Sequence, residues 1–289
     1  MDILLALGGG GSKGNAHIGV IRILEREGFN IKAIAGASAG GMAAVAYAAG
    51  FSPDFLQEYM ESIDQNRLFG FHLGEGPSLL GIKGVASAMK ELLGEITFDQ
   101  LKIPCALTAV DLETGKEMVL NTGSVFKAVL ATIAIPGIFP PCNWDECLLV
   151  DGAVINPVPV STVRQISPNK NLPVVAVSLT SSVSEKGLLP NIKPKAAEVV
   201  FNQISRLKVA QAFDIFLRSI EIGMTTISEF RLQLDQPEVI VRPDVKHIGY
   251  LEKVNIAEVV KLGEEAMIDA LPELKKFYSW RSRFSKWFK

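Results

Sequence analysis

The stretch Gly36-Ala37-Ser38-Ala39-Gly40 constrains this chain more than any other. It follows the apolar run Ala33-Ile34-Ala35 and leads into an alanine-rich helical pattern from Met42 to Ala49. A G-x-S-x-G match between a strand and a helix predicts a nucleophile elbow, a turn that lifts the serine hydroxyl clear of the backbone. Glycines two before and two after the serine let strand and helix pass closely at such a turn. The helix N-terminus beneath Ser38 favours negative charge developing there. Five residues alone also fit an ordinary tight helix start, so the rest of the chain must decide. No charge interrupts the chain from Ala33 to Pro53. Alanine and glycine dominate that span and contribute little to membrane insertion, so a buried strand and helix fits better than a transmembrane segment.

One strand precedes the elbow. Ile3-Leu4-Leu5-Ala6-Leu7 is a continuous apolar run, suited to a strand buried on both faces. It enters Gly8-Gly9-Gly10-Gly11-Ser12-Lys13-Gly14 and then a helix with Ile18, Ile21 and Leu24 on its apolar side. Backbone amides in such a loop are free to hold an anion. A P-loop requires Gly-Lys-Ser/Thr, and Lys13 sits between Ser12 and Gly14, so that possibility fails. Gly9, Gly11 and Gly14 satisfy the dinucleotide fingerprint, but the next strand ends at Gly36-Ala37-Ser38 with no carboxylate for a ribose. What remains is a glycine loop and a serine elbow at neighbouring strand ends of a parallel sheet, with loop amides facing Ser38 as an oxyanion hole. Lys13 either adds positive charge there or sits solvated at the rim.

Farther along, Ser52-Pro53 opens another helix, and Gly70 to Gly84 reads as a loop that is a candidate lid. Strands are expected over 104–110 and 117–120, and Ser124 caps a helix through about Ile133. Ala131 to Pro141 contains Pro136, Pro140 and Pro141. This stiff apolar loop is either a core connection or an acyl-binding wall carrying Pro136 and Phe139. The strand Cys147 to Val150 ends at Asp151-Gly152, either a plain turn or a base within reach of Ser38. A strand over 173–179, a long amphipathic helix from Pro194 to about Thr225, a strand over 239–241 and a helix capped by Asn255 through about Leu271 complete the pattern. With no repeat and no linker, one α/β domain over 1–272 is expected.

Its 289 residues, 48% of them hydrophobic, are enough for a sizeable core, and the net charge of −2 points to no nucleic acid. Three cysteines are too few for a disulfide scaffold, and Cys142 and Cys147 lack neighbouring ligands for zinc. Reduced thiols and a start, Met1-Asp2-Ile3, without a basic n-region lead us to expect a cytoplasmic protein. Residues 273–289 form a separate basic, aromatic tail. Phe277, Trp280, Phe284 and Trp287 recur at helical spacing among Lys276, Arg283, Lys286 and Lys289. Such a helix either lies in a membrane interface, placing the protein peripherally at the inner membrane surface, or docks its aromatics on the main domain.

Taken in order, Gly9-Gly10-Gly11-Ser12-Lys13-Gly14, Gly36 to Gly40, the proline loop and Asp151-Gly152 resemble the patatin-like phospholipase family. Ala153 stands where many members have a second glycine. The continuation Ala16-His17-Ile18-Gly19-Val20 is most similar to bacterial members and to the catalytic domain of neuropathy target esterase. The resemblance covers roughly residues 3–272. It implies a three-layer α/β fold with a mainly parallel central sheet, and serine hydrolysis of phospholipid or lysophospholipid esters by a Ser–Asp dyad. Ser38 is then the nucleophile and Asp151 the base, with the amides of Gly9, Gly10, Gly11 and Ala39 as the oxyanion hole. Lys13, Pro136 and Phe139 are expected against substrate. The chemistry implied needs neither cofactor nor metal. Two alternatives stand beside it: an α/β-hydrolase triad of Ser38, Asp151 and His247, and a non-catalytic lipid-binding scaffold.

Overall fold

The structure is a computed structural model that describes residues 1–68, 81–180 and 201–285; side chains at 67, 201–214, 217 and 279–285 are outside that description. The expected lid, with His72, falls almost wholly outside it. Only its last residues are described, and Lys83 and Gly84 open a helix.

The strand β1 (Asp2–Leu7) explains why its sequence is apolar without alternation. Ile3, Leu5 and Leu7 point into one core and Leu4 and Ala6 into another. The first core is closed by α1 (Ala16–Arg26), α2 (Ala39–Ala49) and α9 (Ile256–Ser285). The second is closed by Val160 and Val163 of α7 (Val160–Ile166) and Leu232 of α8 (Phe201–Asp235). A strand covered on both faces needs apolar side chains at every position. Truncating Leu5, Ile34 or Leu107 to alanine, all three fully buried, costs about 2–5 kcal/mol.

The other strands are β2 (Asn30–Ala37), β3 (Cys105–Asp111), β4 (Glu117–Leu120), β5 (Cys142–Trp144), β6 (Cys147–Asp151), β7 (Val174–Val177) and β8 (Val239–Val241). They assemble in the order β5-β6-β3-β2-β1-β7-β8, with β4 also paired to β3. Pairings among β3, β2, β1, β7 and β8 are parallel, whereas β4 and β6 run antiparallel to β3 and β5 to β6. Helices on both faces make a three-layer α/β sandwich with a mainly parallel sheet, as expected. The chain leaves β1 toward β2 on one side while β7 fills the other. Such a switch point opens a crevice at the carboxyl end of β1, where the glycine loop begins.

Four further helices pack around this frame: α3 (Pro53–Ser62), α4 (Gln65–Leu68), α5 (Lys83–Leu93) and α6 (Val125–Thr132). At the far end, α9 runs through Pro272 without a break. Leu274 is fully buried, and Tyr278 packs beside Phe29 and donates its hydroxyl to the Asp2 carbonyl. The first turn past residue 272 therefore belongs to the core. The side chains of Trp280, Phe284 and Trp287 lie outside the described residues. No described helix is long and apolar enough to cross a membrane.

Candidate active site

Ser38 stands between the last residue of β2 and the first of α2, with φ 54° and ψ −128°. A side chain in that region costs about 1–3 kcal/mol and needs surrounding structure to hold it. The hold is a relay: the Ser38 amide donates to Thr132 Oγ1 at 3.0 Å, and that hydroxyl donates to the Thr108 carbonyl at 2.7 Å. The Ser38 carbonyl meanwhile accepts from Gly41 and Met42, starting α2. A Cβ at Gly40 would lie 2.2 Å from the Leu7 carbonyl oxygen, so only glycine lets α2 start this close to β1.

Asp151 reaches the same point from the other side of the sheet. Antiparallel pairing sets it opposite Ala109 of β3 at the end of β6. Its amide donates to the Ala134 carbonyl at 2.9 Å, and its Oδ1 accepts from the Ala153 amide at 2.8 Å. The Ser38 hydroxyl lies near enough to this carboxyl to favour its ionised form. Burial pushes the Asp151 carboxyl up to about 7, with the Ser38 hydroxyl and the Ala153 hydrogen bond pulling partly back. A carboxylate held there can accept a proton near neutral pH, which an ordinary aspartate does poorly.

The glycine loop crosses in front of Ser38, and a Cβ at Gly9 would sit 3.2 Å from Ser38 Cβ. The expectation that Gly9 donates to an oxyanion does not hold, because its amide already donates to the Pro157 carbonyl at 3.0 Å. The amides of Gly10, Gly11 and Ala39 have no hydrogen-bond partner among the described residues. His17 Nε2 donates to the Gly8 carbonyl at 2.8 Å, and burial lowers the imidazole to about 4, keeping it neutral. Its place is under the loop, not against the serine. Lys13, expected against substrate, lines neither cavity described next. It is buried, with Nζ 2.8 Å from Glu221 of α8 and 4.9 Å from the Tyr250 ring centre. His247 is exposed between β8 and α9 and lines neither cavity described next.

Two cavities meet at Ser38. One, of about 140 Å3, follows the α2 face formed by Ala39, Met42, Ala43 and Ala46. It continues between α3 and α5, and Phe139 lines it. The other, of about 310 Å3, lies beneath α8 and has Asp151, Pro136, Met224 and Tyr250 in its wall. Pro136 and Phe139 are thus both wall residues, on different cavities. Thr132 and Tyr250 escape sequence reasoning, since their partners lie far away in the chain. A lone Thr inside an apolar segment, at the end of a capped helix, is the only signal the first one leaves.

Residues 5–164, more than half of the chain, match the model of the family described as patatin-like phospholipase. An uncharacterised NTE family protein of Mycobacterium tuberculosis is 32% identical over 216 residues, covering 74% of this chain and 58% of that protein. Neuropathy target esterase of Drosophila grimshawi is 24% identical over 172 residues, 55% of this chain and 11% of that protein. The chain therefore spans less than two thirds of the length of these relatives. Among solved structures, VipD from Legionella pneumophila aligns over 93% of this chain and 66% of its own at 14% identity, with a TM-score of 0.47. With its loop, elbow and Asp-Gly turn all inside the matched segment, this chain belongs to the patatin-like phospholipase family.

Proposed function

We propose that this chain is a serine acyl hydrolase that cleaves carboxylic esters of lipids through an acyl-enzyme. The observation that carries the proposal is the strained Ser38 sharing a cavity wall with a buried carboxyl that burial pushes up to about 7. Asp151 accepts the Ser38 proton as Oγ attacks the ester carbonyl, and the resulting oxyanion turns toward the amides of Gly10, Gly11 and Ala39. Each such donor is worth about 3–4 kcal/mol in the transition state. Water then takes the place of the departed alcohol and, with Asp151 again as base, releases the acid. The family relationship supports lipid esters as the substrate class. The triad of Ser38, Asp151 and His247 finds no support, because among the described residues neither His17 nor His247 has a bond to Ser38 or Asp151.

A fluorophosphonate probe tests the mechanism directly. Covalent labelling of wild type at Ser38, lost in Ser38→Ala and in heat-denatured protein, is expected. A folded wild type that stays unlabelled would instead support a lipid-binding scaffold without an activated serine. For the C-terminal turns of α9 the proposal is attachment to an anionic membrane surface, where the basic and aromatic residues beyond Tyr278 would meet the lipid that the enzyme cleaves.

A further inference from the structure

The two cavities differ in one respect that bears on the reaction: Asp151 lines the larger cavity and not the smaller. In the acylation step the Ser38 Oγ–H proton passes to Asp151 while the Oγ–carbon bond forms. The bond from carbon to the alcohol oxygen then breaks, and Asp151 returns its proton to that oxygen. The leaving oxygen must therefore sit on the Asp151 side of the tetrahedral carbon. The oxyanion faces the glycine loop, so the remaining substituent, the acyl chain, points away from Asp151 into the smaller cavity.

We propose that the cavities divide the ester between them, the acyl chain lying along α2 and the leaving alcohol beneath α8, with Ala43 and Gly223 setting how much each side accepts. The assignment rests on the hydrolase proposal above. Ala39, Met42, Ala43 and Ala46 recur at the spacing of one helix face and give a straight apolar floor about 10 Å long. No charged side chain lines this cavity among the described residues. The cavity beneath α8 is just as apolar. Apart from Asp151, its described lining (Ile138, Phe216, Ile220 and Met224 among it) carries no charge. Lys13 is held by Glu221 and stays out of both walls. Such a leaving-group side receives an alcohol that carries hydrocarbon beside the ester oxygen, and offers a charged headgroup no partner among the described residues. It follows that a lipid ester retaining a second chain on its alcohol fits better than one whose alcohol is a bare headgroup.

Two series of esters measured on the purified full chain separate the sides. One varies the acid from butanoate to palmitate with 4-nitrophenol as alcohol; the other varies the alcohol from methyl to dodecyl with butanoate as acid. Ala43→Phe fills the floor of the smaller cavity. It should lower the palmitate-to-butanoate ratio of kcat/KM by about tenfold and hold the dodecyl-to-methyl ratio at its wild-type value. Gly223→Phe, at a position where an added Cβ meets nothing within 4 Å, should do the reverse by a similar factor. Should Ala43→Phe fail to fold, as judged by circular dichroism, Ala43→Leu and the Gly223 variant still decide. Exchanged responses, or ratios that neither variant moves, would overturn the assignment while leaving the hydrolase intact. A wild type that turns over no ester in either series defeats the hydrolase proposal and this one with it.

Discussion

On one face of the sheet, α1, α2 and α9 bury Val20, Ile23, Leu24, Val45 and Met267 in a continuous apolar layer. Gly19 of α1 and Gly263 of α9 bring those two helices into backbone contact, and Arg22 ties α1 to α3 and α9 through Asp54, Gln57 and Glu264. On the opposite face α7 and α8 supply a smaller apolar set, and α8 is held in large part by charge. Arg231 pairs with Glu117, Arg242 with Glu229, and Glu221 with Lys13. Ile215, Ile222, Phe230 and Leu234 of α8 remain exposed. The first face fixes the nucleophile, whose geometry tolerates little error. The second roofs the cavity that the proposal gives to the leaving alcohol. The elbow thus rests on the apolar-packed layer, while the cavity beneath α8 is roofed by a layer joined largely through ion pairs.

The largest effects belong to the first layer. Ser38→Ala should lower kcat for ester hydrolysis by about 10^6-fold with unchanged circular dichroism, because the elbow survives without its hydroxyl. Retention of wild-type turnover would remove Ser38 from the mechanism. Asp151→Asn should cost about 10^4-fold in kcat, and it carries a second signature in stability. Burial raises the Asp151 carboxyl, so the folded protein binds this proton more tightly than the unfolded chain does. The contribution is favourable below the ordinary value of about 3.9 and is lost as pH rises toward about 7. Wild-type kcat/KM should accordingly climb with pH and level off above about 7. Asp151→Asn should melt above wild type near pH 8, by an amount of order 4 kcal/mol at most, with the gain gone near pH 4. A variant less stable than wild type at every pH would contradict a buried, reluctantly ionised carboxyl.

Smaller effects test the second layer. Glu221→Gln strands the buried Lys13 ammonium, whereas Lys13→Met releases a glutamate that is 41% exposed and can be resolvated. Urea titration should show a loss of about 3 kcal/mol for the first and about 1 kcal/mol for the second. Equal losses would mean that the pair matters through shape, not charge. The mildest perturbation is removal of the residues after Tyr278. It should leave the melting temperature within a few degrees and weaken co-sedimentation with anionic vesicles, the more so at low salt. Unaltered sedimentation would confine the end of α9 to a structural role.

Local patterns carried most of this fold into the sequence. The apolar runs marking β1, β3 and β7 are easy to see because these parallel strands are buried on both faces. By contrast β5, only Cys142–Trp144, exists because β6 is there to pair with it. The short helix α7 follows Pro157 and Pro159 and shows itself only through Val160 and Val163 against β1. α8 extends past the expected end near Thr225 to Asp235, where Leu232 inserts under the sheet. At the site, Ser38 and Asp151 stand in motifs that announce themselves, because each needs glycine beside it. The engagement of the Gly9 amide by Pro157, of Lys13 by Glu221 and of Ser38 by Thr132 is set by tertiary approach and leaves no local periodicity.

The tether on the serine has a mechanical side. Thr132 closes α6, and the chain that leaves it passes Ile133 and Ile135, then Pro136, and reaches Phe139 within two turns' length. That short strap holds the elbow at one end and lines both cavities along the rest. Ala134 also accepts the Asp151 amide. Ser38, Asp151 and the walls of both cavities are therefore tied to a single segment, and shifting any one of them tugs the others.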